Sequence, residues 1–73
     1  LHSVRLPSGA GSIGRSLEEL APALERVEVT AIRRRNIRNL SPTSDTRLAE
    51  GDVVVLRGRD SDLVRAEMLL LQG

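Results

Sequence analysis

The chain contains no phenylalanine, tyrosine, tryptophan or cysteine. Its core must therefore be built from aliphatic side chains alone, without rings to fill volume and without disulfides to tie distant segments. The supply is 12 Leu, 7 Val, 6 Ala, 3 Ile and 1 Met among 73 residues. A chain this short buries only about 60 % of the surface that its unfolded form exposes. Area burial then barely exceeds the entropy of ordering. One histidine, His2, and no cysteine exclude thiolate zinc sites and multi-histidine metal sites. The remaining source of support is a partner chain or a parent protein. We therefore expect a single domain over residues 1–73 that is a homodimer or a module of a longer chain.

The missing rings and thiols also remove function classes. Single-strand nucleic-acid binders stack bases on aromatic side chains, which this chain lacks. There is no cysteine nucleophile, and a Ser-His-Asp set would have to use His2 at a fraying end. Asp45, Glu50 and Asp52 read as turn residues, and Asp60 and Asp62 as residues at a helix N-terminus, where negative charge is favourable. No catalytic constellation emerges, and the expectation is a non-enzyme. No apolar run reaches the 18 residues of a membrane span. No signal-peptide pattern opens the chain.

Charge is nearly balanced at net +1, with 11 basic and 10 acidic residues. Every basic residue is arginine. Arg33-Arg34-Arg35 with Arg38 is the densest cluster. It could bind an anion or a DNA backbone. The favoured reading is a solvated hairpin tip paired with carboxylates. On a strand, Arg33 and Arg35 face one side and Arg34 the other.

Periodicity places a strand at residues 2–6, where Val4 and Leu6 alternate with polar residues, ended by Pro7. A glycine-rich loop follows. Ser16-Leu17-Glu18-Glu19 is a capping box, with Glu19 expected to reach back to the Ser16 amide. Leu17, Leu20, Ala21 and Leu24 continue at helical spacing, but Pro22 should end the regular helix near Ala21. Residues 27–34 read as a strand with Val27, Val29 and Ala31 on one face and Glu28, Thr30 and Ile32 on the other. Arg35-Asn36 supplies a hairpin turn. Residues 37–41 return, and Pro42 stops them. Gly51 supplies a positive φ in the turn before Val53-Val54-Val55-Leu56, the expected sheet centre. Asp60 or Ser61 caps a final helix to about Leu71, with Gly73 just past its end. The plan is α+β, in the order β-α-β-β-β-α, with a small mixed or antiparallel sheet and helices packed on it.

Residues 9–14 match G-x-G-x-x-G letter for letter. The context of a dinucleotide fold is missing. Pro7 and Ser8 separate the loop from the strand, Pro22 breaks the next helix, and Arg33-Arg34 stand where an acidic residue is required. A loop leading into a capped helix is the favoured reading.

Several pieces together resemble one family. Val27-Glu28-Val29-Thr30-Ala31-Ile32-Arg33-Arg34, then Ser41-Pro42, then Asp45-Thr46-Arg47-Leu48-Ala49-Glu50-Gly51-Asp52-Val53-Val54-Val55-Leu56-Arg57-Gly58 resembles the TrkA-C domain. This is the C-terminal lobe of the regulator of potassium conductance. Ile13-Gly14-Arg15-Ser16-Leu17-Glu18-Glu19-Leu20 is similar to its "I-G-K-S-L-x-E-L" segment. The ending from Ala66 is similar to the tails of Kef-type cation/proton antiporters.

The resemblance implies the same β-α-β-β-β-α fold, a homodimer, and regulation of a potassium channel or monovalent-cation antiporter. The transporter would be part of the same chain or its partner, with the domain at the cytoplasmic face of the bacterial inner membrane. Some members bind a cyclic dinucleotide between two such domains, using an Asn near the start of the second strand. Glu28 stands at that position here. Carried over, the family's inter-subunit cleft would be lined by Arg33, Ile37, Ser41 and Pro42. No resident cofactor is implied, and the effector would be a nucleotide or a cation. The expectation is thus a regulatory ligand-sensing and dimerisation domain that gates transport by dimer rearrangement. The alternative is a nucleic-acid-binding module built on the Arg33–Arg35 hairpin.

Overall fold

The computed structural model describes residues 1–35 and 37–72, with 37–39 described by their backbone alone. The elements are β1 (His2–Arg5), α1 (Leu17–Leu20), β2 (Glu28–Arg34), β3 (Ile37–Leu40), β4 (Val53–Arg57) and α2 (Asp60–Gln72). The order is the one expected from the sequence. The strands form one four-stranded sheet in the order β1-β4-β2-β3. Every neighbouring pair is antiparallel, which resolves the mixed-or-antiparallel alternative. The Arg35-Asn36 turn and the Gly73 stop involve residues outside the described set.

The Val53–Leu56 run sits where its composition places it, as an inner strand between β1 and β2. One row of side chains crosses the whole sheet: Val4 faces Val54, Val54 faces Ile32, and Ile32 faces Leu40. The row forms the floor of the core, with Leu56 beside it and Leu6, Leu20, Leu24 and Leu48 above it. Leu63, Ala66 and Leu70 recur at helical spacing and set the buried face of α2 against the same cluster.

Strand β2 departs from simple alternation. Val29 faces Leu56 and Ala31 faces Val55, so β2 advances two residues while β4 advances one. Thr30 is the extra residue, and its hydroxyl donates to the Val55 carbonyl at 3.3 Å. A bulge of this kind resets which side chains face the core. Val29 and Ile32 therefore share the inner face, and the expected Val27, Val29, Ala31 set does not hold.

The glycine-rich loop has a packing role. Ala10 lies in the core, and Ser12 is fully buried. The Gly11 amide donates to the Leu71 carbonyl at 3.2 Å, and the Ser12 hydroxyl to the Leu70 carbonyl at 2.7 Å. These carbonyls lie in the last turn of α2, where no intrahelical donor remains. Gly9 and Gly14 sit at φ of 90° and 86°, which bends the loop under the helix end. The G-x-G-x-x-G match is thus a C-terminal cap for α2.

At the other end of α2, the Leu63 amide donates to the Arg59 carbonyl at 2.8 Å. Arg59 therefore holds the cap position expected of Asp60 or Ser61. Asp60 and Asp62 lie inside the first turn, where the helix dipole favours them. Among the described residues, no helix is long and apolar enough to cross a membrane.

Candidate functional site

Besides an open concavity lined by Arg26, Arg57, Gly58, Arg59 and Asp62, two concavities lie on different parts of the surface. The first is a groove of about 430 Å³ between α1, the start of β2 and the segment after β3. Its lining is mostly aliphatic: Leu17, Ala21, Leu24, Val27, Val29 and Pro42, with Glu18, Thr43 and Ser44 at the rim. The groove exists because α1 is short. Ser16 caps it, accepting from the Glu19 amide at 3.1 Å, and Pro22 prevents a longer helix. The chain then turns through Leu24, which accepts from the Val27 amide at 3.1 Å.

The far wall is held in place by two threonines. Thr46 Oγ1 accepts from the Thr43 amide at 3.0 Å, closing the turn after Pro42. The Glu18 amide donates to the Ser44 carbonyl at 3.0 Å, and the Leu17 amide to the Thr46 carbonyl at 2.9 Å. Glu19 does not complete the expected capping box with the Ser16 amide. Its carboxylate accepts from the Ser16 hydroxyl at 3.3 Å and from Arg47 at 3.2 Å. Arg47 also donates to the Gly14 carbonyl at 2.8 Å, which ties this wall to the glycine loop.

The second concavity, about 500 Å³, lies at the end of β1, β4 and β2. Arg5, Arg33 and Arg35 line it, together with Glu50, Gly51 and Val53. Arg34 and Asp52 form its inner wall. Asp52 is completely buried. Arg34 donates to it in a fork, from Nε to Oδ1 at 3.0 Å and from the terminal nitrogen to Oδ2 at 3.2 Å. Asp52 Oδ2 also accepts from the Ala49 amide at 2.9 Å, which closes the turn that Gly51 makes at a φ of 86°. Hydrogen bonding to Asp52 holds the Arg34 pKa above its ordinary value; burial opposes the shift and the Asp52 charge adds to it.

The residues singled out in the sequence are therefore divided. Pro42 lines the apolar groove, and Arg33 lines the basic concavity. Ser41 is exposed beside Pro42. Ile37 pairs with Arg34 at the hairpin, and its side chain lies outside the described set. Glu28 is ion-paired with Arg57 across β2 and β4. Leu17 and Ala21 stand at helical spacing, and Pro22, by ending the helix, turns their face into a groove wall.

The TrkA-C domain family matches over residues 1–71. The chain belongs to this family. Among solved structures, an RCK domain with cda superposes with a TM-score of 0.80 at 19% identity, covering 94% of each chain. The RCK_C domain dimer of S. agalactiae BusR in complex with c-di-AMP also gives 0.80, at 15% identity, covering 94% of this chain and 92% of that one. At these identities the likeness establishes a shared fold. No curated protein matches the chain. The G-D pair shared with the TrkA-C pattern has a structural meaning here, because Gly51 makes the turn and Asp52 anchors Arg34.

Proposed function

We propose that this TrkA-C domain is a homodimeric regulatory module that senses a small effector for a potassium or monovalent-cation transport system. The observation that carries the reading is the family match over residues 1–71. The module acts at the cytoplasmic face of a bacterial inner membrane, joined to a channel or antiporter. Effector binding favours one dimer geometry, and the attached transporter follows.

The apolar groove is the effector surface, with Pro42 in its wall and exposed Ser41 next to it in the chain. Its aliphatic lining suits the face of a nucleobase better than a hydrated ion. The related BusR domain dimer is in complex with c-di-AMP, which makes that nucleotide the first probe. Glu28 would oppose a phosphate if bare, but Arg57 neutralises it.

Thermal unfolding followed by circular dichroism tests the reading, since the chain has no aromatic chromophore. A ligand at 100 times its Kd adds about 2.7 kcal/mol. For a domain of this size that raises Tm by about 15 °C. We expect c-di-AMP to produce such a rise and Ala21→Glu, in the groove, to remove it. Absence of a shift with c-di-AMP, adenine nucleotides, K⁺, Na⁺ and divalent cations would refute effector sensing. An undiminished shift in Ala21→Glu would refute the groove as its site.

The nucleic-acid reading of the Arg33–Arg35 hairpin loses its central residue, because Arg34 is committed to Asp52.

A further inference from the structure

The arginines whose side chains are described differ in whether a carboxylate meets them. Arg15, Arg34, Arg47, Arg57 and Arg65 each meet a carboxylate. Among the described residues, Arg5, Arg26, Arg33, Arg35 and Arg59 meet none; Arg26 and Arg59 line a concavity that also holds the paired Arg57 and Asp62, whereas Arg5, Arg33 and Arg35 line one together. Their convergence follows from sheet register. Arg5 on β1 and Arg33 on β2 both face Val53 of the strand between them. They therefore stand in one row on the sheet face opposite the core, two strand spacings or about 10 Å apart at the backbone. Arg35 enters from the turn after β2. Glu50 is the one carboxylate on the wall besides Asp52, whose charge Arg34 already balances. Three unpaired guanidinium groups against one free carboxylate leave the concavity net positive.

Bringing like charges together is unfavourable unless an anion joins them. Guanidinium forks match the oxygens of phosphoryl groups, two nitrogens to two oxygens. Side chains rooted about 10 Å apart on either side of Val53 suit an anion with two linked phosphoryl groups better than one isolated tetrahedron. We propose that the Arg5–Arg33–Arg35 concavity is a binding site for a small diphosphate-type anion. It is separate from the Pro42 groove and does not depend on the effector assigned there.

Inorganic pyrophosphate is the probe. Thermal unfolding of the wild-type chain in pyrophosphate is compared with sodium chloride of equal ionic strength. The expected result is a higher Tm in pyrophosphate, a smaller rise in orthophosphate, and a dissociation constant weakened at least about tenfold by Arg5→Gln with Arg33→Gln. Both arginines are exposed and unpaired, so the double variant should fold. Glu50→Gln gives a second handle and should tighten binding. Arg59→Gln, an exposed arginine outside the concavity, should leave it unchanged. The proposal fails if pyrophosphate gives no rise above the chloride control. It also fails if the double variant keeps the full rise, or if Arg59→Gln lowers it equally. Amide NMR shifts at Gly51 and Val53 should report the same binding, and shifts confined to other segments would also overturn it.

Discussion

Arg34→Ala should destabilise the chain by about 3 kcal/mol. The variant leaves Asp52, which is completely buried, with a negative charge and the Ala49 amide as its main remaining donor. Removing one partner of a buried ion pair costs about 3–5 kcal/mol because the other charge is stranded. The lower end applies here, because the Arg34 side chain is itself 33% exposed and partly screened. The loss corresponds to a fall in Tm of about 15 °C. Arg34→Lys should fall between, since an ammonium cannot reproduce the fork. Because the Arg34 pKa is raised on folding, its contribution is complete below the unfolded-state value. It is lost only as pH climbs through the folded-state value, in strong alkali. Urea or thermal unfolding measures the effect, and a loss below about 1 kcal/mol would show that Asp52 is not the buried anchor described.

The second large effect separates the two faces of α2. Leu70 is completely buried, whereas Met68 is 53% exposed two residues earlier. Leu70→Ala should cost about 2–5 kcal/mol through lost burial and a residual cavity. Met68→Ala should change the stability of the protomer by no more than about 0.5 kcal/mol. Alanine is a strong helix former, so neither change penalises the backbone. The contrast therefore reads packing alone. Equal losses at the two sites would mean that α2 is rotated from the face that Leu63, Ala66 and Leu70 define.

Local signals in the sequence carried most of the architecture. The unbroken Val53-Val54-Val55-Leu56 run marked an inner strand, and Ser16 with Pro22 bounded α1 on both sides. Gly51 was placed correctly in its turn. The structure adds interactions between residues far apart in the chain. Alternation along β2 could not show that Thr30 is an extra residue, because a bulge is defined by the partner strand. The glycine loop was legible as a loop but not as the cap of a helix some 58 residues later, where Ser12 meets Leu70. The Arg34–Asp52 pair spans 18 residues, and only antiparallel pairing of β2 with β4 brings it together. That register and the pairing of β1 with β4 set Arg5 and Arg33 on either side of Val53. The family resemblance implies one inter-subunit cleft holding Arg33 and Pro42; within one protomer the two line different concavities.

The proposed dimer rests on the aliphatic-only core and the family membership. The exposed side chains of Val64 and Met68 add apolar surface that a protomer alone leaves in water. Sedimentation equilibrium of the isolated chain at micromolar concentration, recorded with interference optics because aromatic absorbance is absent, tests the regulatory-dimer account most directly. The account predicts a species of twice the chain mass that dissociates only on dilution. A folded chain that sediments as a monomer at every concentration, with or without c-di-AMP, would contradict it.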